Sequence, residues 1–144
     1  LEECILQPQS EIEKVRAFLL EEGFLFLEEN MVREDGKYYP MMKVRMPGRE
    51  KTEPEKRKKD WEKEQKQIWT EAEVRYGKLL LEGRNPVLRE FLERERRIKQ
   101  QILSRLETED SGRIRERRKA VKEELECTEK GLSYYAVQRD YTGD

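Results

Sequence analysis

Two stretches carry the residues best suited to chemistry. Gln7-Pro8-Gln9 follows the short apolar run Cys4-Ile5-Leu6, and the segment from Arg113 to Lys122 holds Arg113, Arg115, Arg117, Arg118, Lys119 and Lys122 against one acid, Glu116. Two amides either side of a proline offer donors and acceptors to the edge of a polar ligand, with the proline shaping the rim. The same tripeptide also serves simply to end a strand. Six bases within three helical turns spread around most of the circumference, so one basic face survives any packing and can bind phosphates. The competing use is rim pairing with the acids Glu93, Glu95, Glu107 and Glu109 of a neighbouring helix. The chain has no histidine, which excludes histidine-based acid/base catalysis and a histidine-ligated zinc site. Cys4 and Cys127 lack metal-ligand spacing and read as free thiols of a reducing, cytoplasmic compartment; no metal is expected.

The elements that must position these residues follow from the pattern. Cys4 to Leu6 is a strand too short and apolar to stand alone, so it is expected to be buried in a larger sheet. Ser10 and Glu13 have capping-box spacing for a helix from Ser10 to Glu22, with Ile12, Val15, Phe18 and Leu19 on its inner stripe and Gly23 past its end. Strands Phe24 to Arg33 and Lys37 to Met46 flank Asp35-Gly36, a strong hairpin signal. Tyr38 and Tyr39 point to opposite faces, so only one can be core. The order is β-α-β-β, and a buried first strand without neighbours implies further sheet upstream. Without it, the exposed edge favours self-association.

The second half changes character. At 144 residues with 44% charged and 35% hydrophobic side chains, one compact core is thinly supplied, and an elongated part is expected. The net charge of −1 divides into −4 over residues 1–46 and +3 over the remainder. Residues 49–69 read as a charged linker in which Lys56-Arg57-Lys58-Lys59 and Trp61 are either hydrated or a phosphate-binding arm. Thr70 and Glu73 form a second capping box ahead of a short helix stopped by Gly83. Asn85-Pro86 then opens a helix to Leu106, about 30 Å long at 1.5 Å per residue, whose apolar seam is interrupted at Glu95. A turn over 108–112 leads to an antiparallel return helix from Arg113 to about Lys130. The reading is therefore four segments: 1–48, 49–69, a helical hairpin or coiled coil over 70–132, and a polar, poorly ordered tail over 133–144. No apolar run approaches the roughly 20 residues of a membrane span.

Five pieces taken in order carry a resemblance: Ile5-Leu6-Gln7-Pro8-Gln9, Leu19-Leu20-Glu21-Glu22-Gly23-Phe24, Glu29 with Asp35-Gly36-Lys37-Tyr38-Tyr39, Tyr76-Gly77-Lys78-Leu79-Leu80, and Asn85-Pro86-Val87-Leu88. Over about residues 4 to 106 the chain resembles the second half of the bacterial tRNA (adenine-22-N1)-methyltransferases. Gln9 stands where that family has Asn, Pro40 interrupts its last strand, and the charged stretch over 49–69 is longer. The resemblance implies an α/β fold, the C-terminal part of a Rossmann-like methyltransferase sheet, followed by a helical hairpin. It implies S-adenosylmethionine as cofactor, held by a first half that this chain lacks, so the chain alone would be inactive. Gln7, Pro8, Gln9 and Tyr38 would border the adenine, and the bases from Arg113 to Lys122 would grip tRNA. The alternatives are a coiled-coil dimerisation or adaptor module and a non-catalytic RNA-binding fragment.

Overall fold

A computed structural model describes residues 3–47 and 69–142, with side chains described as far as 136. Lys56 to Lys59 and Trp61 lie outside the described residues. The chain divides into two compact units, Leu1–Asn85 and Pro86–Asp144. The first holds β1 (Glu3–Leu6), α1 (Ile12–Glu21), β2 (Leu25–Glu34), β3 (Lys37–Arg45), α2 (Glu71–Tyr76) and α3 (Lys78–Glu82). The second holds α4 (Pro86–Leu106) and α5 (Gly112–Thr142). Residues 70–85, read with the hairpin from sequence, thus belong with the sheet, because their apolar side chains Val74 and Leu79 pack on its core.

In the first unit β2 and β3 form the hairpin that Asp35-Gly36 signals. Both turn residues have positive φ, 53° and 77°, the conformation whose twist matches two antiparallel strands. β1 adds to the free side of β3, also antiparallel, giving the order β1-β3-β2. It pairs only from Arg45 to Met42, so Pro40 lies in a stretch of β3 with one paired neighbour, where a missing N–H is tolerated. β1 is not buried as expected. Cys4 is exposed and Ile5 is 70% exposed; Leu6 alone packs against the core. On that outer face Arg45 donates to Glu3 at 3.0 Å and holds its carboxyl below the usual range, while Lys43 lies 3.6 Å from Glu3 and 3.7 Å from Glu28.

The inner face carries Phe26, Met42 and Val44, covered by Leu19 and Leu20 of α1 and by Trp69, whose ring lies 4.8 Å from that of Phe26. Trp69, read as the end of a linker, is therefore part of the core. α1 begins one residue later than its capping box predicts. Glu11 occupies the cap position at φ 50° without a side-chain cap, so Ser10 does not perform that role. The helix ends as expected, with Gly23 at φ 87° and Phe24 N donating to Leu19 O at 2.9 Å. The buried stripe is turned from the predicted one: Phe18 is exposed, and Arg16 is buried with Leu19 and Leu20.

Arg16 is inward because its partner is there. Its Nε donates to Glu29 Oε2 at 2.8 Å, and Nη1 donates to Arg75 O at 2.8 Å and Val74 O at 3.3 Å. Glu29 Oε1 accepts from Leu79 N at 3.0 Å. Both side chains are essentially out of water, at 2% and 0% exposure. Burial pushes the Glu29 carboxyl up, against the pull of Arg16 and the N–H groups of Leu79 and Leu80. Gly77 separates α2 from α3, a break that the sequence pattern does not announce. At φ 105° it runs so close to the pair that a Cβ would stand 2.9 Å from Arg16 Nη2 and from Glu29 Oε2. The capping box of Thr70 and Glu73 forms as read, Thr70 N donating to Glu73 at 2.7 Å and Glu73 N to Thr70 at 3.2 Å.

In the second unit α4 and α5 run antiparallel. Arg118 Nη2 donates to Leu106 O at 2.6 Å, Lys99 Nζ lies 3.9 Å from Glu124, and Arg89 stacks 5.8 Å above the Tyr135 ring. Leu88, Leu92, Val121, Cys127, Thr128 and Tyr135 are buried. The seam's interruption at Glu95 is filled by Lys99, itself buried, which pairs with Glu95 at 2.6 Å. Ser111 accepts from Ile114 N at 3.2 Å and caps the start of α5. α5 does not stop near Lys130. It continues to Thr142, so the expected tail is helical, and Tyr135 within it helps anchor the pair.

Two outcomes are expected. Arg16→Met leaves a buried carboxylate without its cation and should lower unfolding stability by about 3–5 kcal/mol in a denaturant titration. Gly77→Ala should also destabilise through strain at the same place. The second outcome concerns pH. Burial raises the Tyr135 phenol from 10.0 to about 12, with Arg89 opposing. A neutral acid that keeps its proton in the native state loses relative stability once the unfolded chain ionises. Stability should therefore be insensitive to this group below pH 10 and fall between 10 and about 12. Tyr135→Phe should show a smaller alkaline loss than the parent over that window.

Candidate functional site

The sheet-side residues leave from the end of β1. Gln7 and Gln9 are exposed and Pro8 is half-buried, directly after the pair Leu6 and Met42. Tyr38 lies four residues along β3 from Met42, opposite Arg33, whose guanidinium stands 5.9 Å from its ring. Tyr38 and Tyr39 are both half-buried, so neither is a full core residue. The two amides that follow β1 are thus open to solvent, with Tyr38 farther toward the hairpin turn.

S-adenosylmethionine, implied by the resemblance, has no holder in the β1 to α1 connection. Residues 7–11 contain no glycine, and Glu11 and Glu13 make the N-terminus of α1 acidic. That is the wrong charge for the carboxylate that a helix N-terminus would otherwise attract.

The basic residues of α5 separate into different roles. Arg118 is half-buried and fixed, its Nη2 donating to Leu106 O and, at 3.0 Å, to Glu109 O. It closes the carbonyl end of α4 across the turn. Arg115 Nε lies 3.5 Å from Asp110, an exposed pair. Arg113, Arg117, Lys119 and Lys122 are exposed and form no ion pair among the described residues. The expected rim pairing is not what Glu93 and Glu95 do, since they bond Arg89 and Lys99 of their own helix. Arg115, Arg118, Lys119 and Lys122 instead line an open hollow of about 470 Å³ with Glu123 and Glu126.

Four positive and two negative side chains border this concavity, a net positive excess that suits a phosphate-bearing ligand and needs no sequence-specific geometry. Sequence reasoning finds the bases and misses Glu123 and Glu126, although both follow Lys119 and Lys122 at three-four spacing and so share their side of the helix. It also misses Asp110. No helix among the described residues is long and apolar enough to cross a membrane.

The fold has clear relatives. The structure of an uncharacterized protein from Listeria monocytogenes serotype 4b superposes with a TM-score of 0.73 at 19% identity, over 92% of this chain and 51% of that one. The B. subtilis M1A22 tRNA methyltransferase TrmK superposes with a TM-score of 0.70 at 21% identity, over 91% of this chain and 51% of that one. A putative tRNA (m1A22) methyltransferase from Streptococcus pneumoniae, in complex with S-adenosyl-L-methionine, gives 0.59 at 22% identity, over 92% and 48%. This chain spans about half the length of these structures. No curated protein matches the sequence. The likeness runs through both units, and the model of one family, TrmK, matches residues 1–130. The chain therefore belongs to the tRNA (adenine(22)-N(1))-methyltransferase family.

Proposed function

We propose that the chain is the C-terminal portion of an S-adenosylmethionine-dependent methyltransferase acting on N1 of an adenine in tRNA. The observation that carries this reading is the family match across residues 1–130, which takes in the sheet unit and most of the helical one. In this reading the exposed edge of β1, with Ile5 open to solvent, is where the rest of the methyltransferase sheet attaches. S-adenosylmethionine is held by that other part and supplies the electrophilic methyl group when bound. Gln7, Pro8, Gln9 and Tyr38 contribute to the rim of the adenine site, where flipping exposes the base's pairing edge.

The helical unit contributes affinity. Its exposed bases meet phosphates, which position a folded RNA without reading its sequence. The dimerisation reading is weaker, because α4 already packs against α5 of its own chain. Binding of a tRNA transcript to the 144-residue chain, followed by fluorescence anisotropy across a salt series, tests the assignment. Lys119→Ala with Lys122→Ala should weaken binding and flatten the slope of log K against log salt by about 0.7–0.9 for each phosphate no longer neutralised. In the complete enzyme the same pair should raise KM for tRNA and leave kcat close to the parent, since charges that hold bound substrate and transition state equally do not change turnover. Unchanged affinity and slope would remove the RNA role from α5. Calorimetry should detect no S-adenosylmethionine binding to residues 1–144 alone.

A further inference from the structure

We infer that Arg33, held against Tyr38 near the tip of the β2–β3 hairpin, is a substrate-contacting residue on which the unpaired nucleotide next to the target adenine stacks. The inference rests on the methyltransferase reading above and adds a second nucleotide to its site.

The hairpin is longer than the sheet it belongs to. β1 pairs with β3 only from Arg45 to Met42, whereas β2 stays paired with β3 through Met41, Pro40, Tyr39, Tyr38 and Lys37. At about 3.4 Å per residue, Tyr38 stands about 14 Å beyond Met42, in the direction in which β1 ends and Gln7 leaves it. Ligands of open α/β sheets bind at that carboxyl end.

A register shift decides what the projecting arm presents. Simple alternation from Phe26 would turn Met31 and Arg33 to the outer face, but the irregularity between Phe26 and Glu28 returns them to the inner face with Met42 and Val44. Met31 and the opposing Pro40 are buried and anchor the arm at its base. Two residues farther out, Arg33 is exposed and Tyr38 half-buried, with the guanidinium 5.9 Å from the ring centroid. α1 covers the same inner face, so the connection from Gln7 to Glu11 crosses to the side on which Arg33 and Tyr38 stand.

The chemistry of the tip favours a base over a phosphate. Arg33 and Lys37 are balanced by Glu34 and Asp35, so the tip has no net charge to draw a polyanion. A guanidinium beside a phenol ring offers stacking surfaces instead, and unpaired RNA bases are recognised by laying them on aromatic rings and guanidinium planes. Strand order β1-β3-β2 sets Tyr38 between the end of β1 and Arg33. With the adenine bordered by Gln7, Gln9 and Tyr38, the place at Arg33 falls to its neighbour in the RNA. The hairpin does not depend on the pair for its shape, since Asp35-Gly36 sets the turn and Met31 with Pro40 the base.

The test is a double-mutant cycle in the complete enzyme between Arg33 and the neighbouring base. tRNA transcripts carry an abasic residue immediately before the target adenine, immediately after it, or at neither place, and methyl transfer is followed as kcat/KM. The readout is the ratio of kcat/KM on the intact transcript to that on each abasic one, which a folding defect scales equally and leaves unchanged. For the parent this ratio should be about fivefold or more at one of the two positions, and for Arg33→Ala it should fall below about twofold there. Arg33→Lys keeps the charge and loses the plane, so its ratio should match that of Arg33→Ala. A parent ratio near one at both positions, or a ratio that either variant leaves at the parent's value, overturns the inference while the methyltransferase reading stands. Failure of the parent to methylate adenine N1 overturns that reading and this one with it.

Discussion

A buried ion pair holds the first unit together. Arg16 and Glu29 are nearly without solvent, and a pair in that position is tolerable only when the remaining donors and acceptors are used. Here Arg16 reaches α2 through the carbonyls of Val74 and Arg75, and Glu29 receives Leu79 N at the start of α3. One interaction therefore ties α1, β2, α2 and α3. The remaining features adjust to it: Gly77 has no side chain because the pair occupies that space, and Phe18 is turned outward because Arg16 takes the inward position. The pieces that carry the family resemblance, Glu29 and Tyr76-Gly77-Lys78-Leu79-Leu80, are distant in sequence and meet here.

That convergence also explains what the sequence can and cannot reveal. Asp35-Gly36, the Thr70 capping box, Gly23 and Pro86 act through bonds to residues a few positions away, and each is where local chemistry puts it. Arg16 reads locally as an exposed charge on an amphipathic helix, because nothing nearby announces a partner 13 residues on and carbonyls nearly 60 residues on. The cap on α1 fails for a similar reason: Glu11 adopts a left-handed conformation that places Ser10 outside the helix. The apolar composition of β1 reflects what such a strand wants rather than what covers it in this chain.

The site is legible to a comparable extent. Composition and spacing are enough to find the bases on α5, and their segregation into fixed and solvent-facing side chains needs the partner helix. Arg118 cannot be told from Lys119 by type or position along the chain. What separates them is the carbonyl end of α4, which lies under one and not the other. The acids beyond Lys122 escape attention because a sequence scan for a basic patch stops where the bases stop.

Arg118 also bears on timing. By joining Leu106 O and Glu109 O to α5, it sets the turn between the two helices before any ligand arrives. In the proposed reading the hollow beside it is framed by that turn, and a polyanion would meet two exposed lysines at its rim. Capture at such a surface is governed by long-range attraction and diffusion, and its rate rather than its lifetime carries most of the ionic-strength dependence. In that reading a single arginine turned toward backbone serves the encounter by holding the frame, its charge still bordering the hollow.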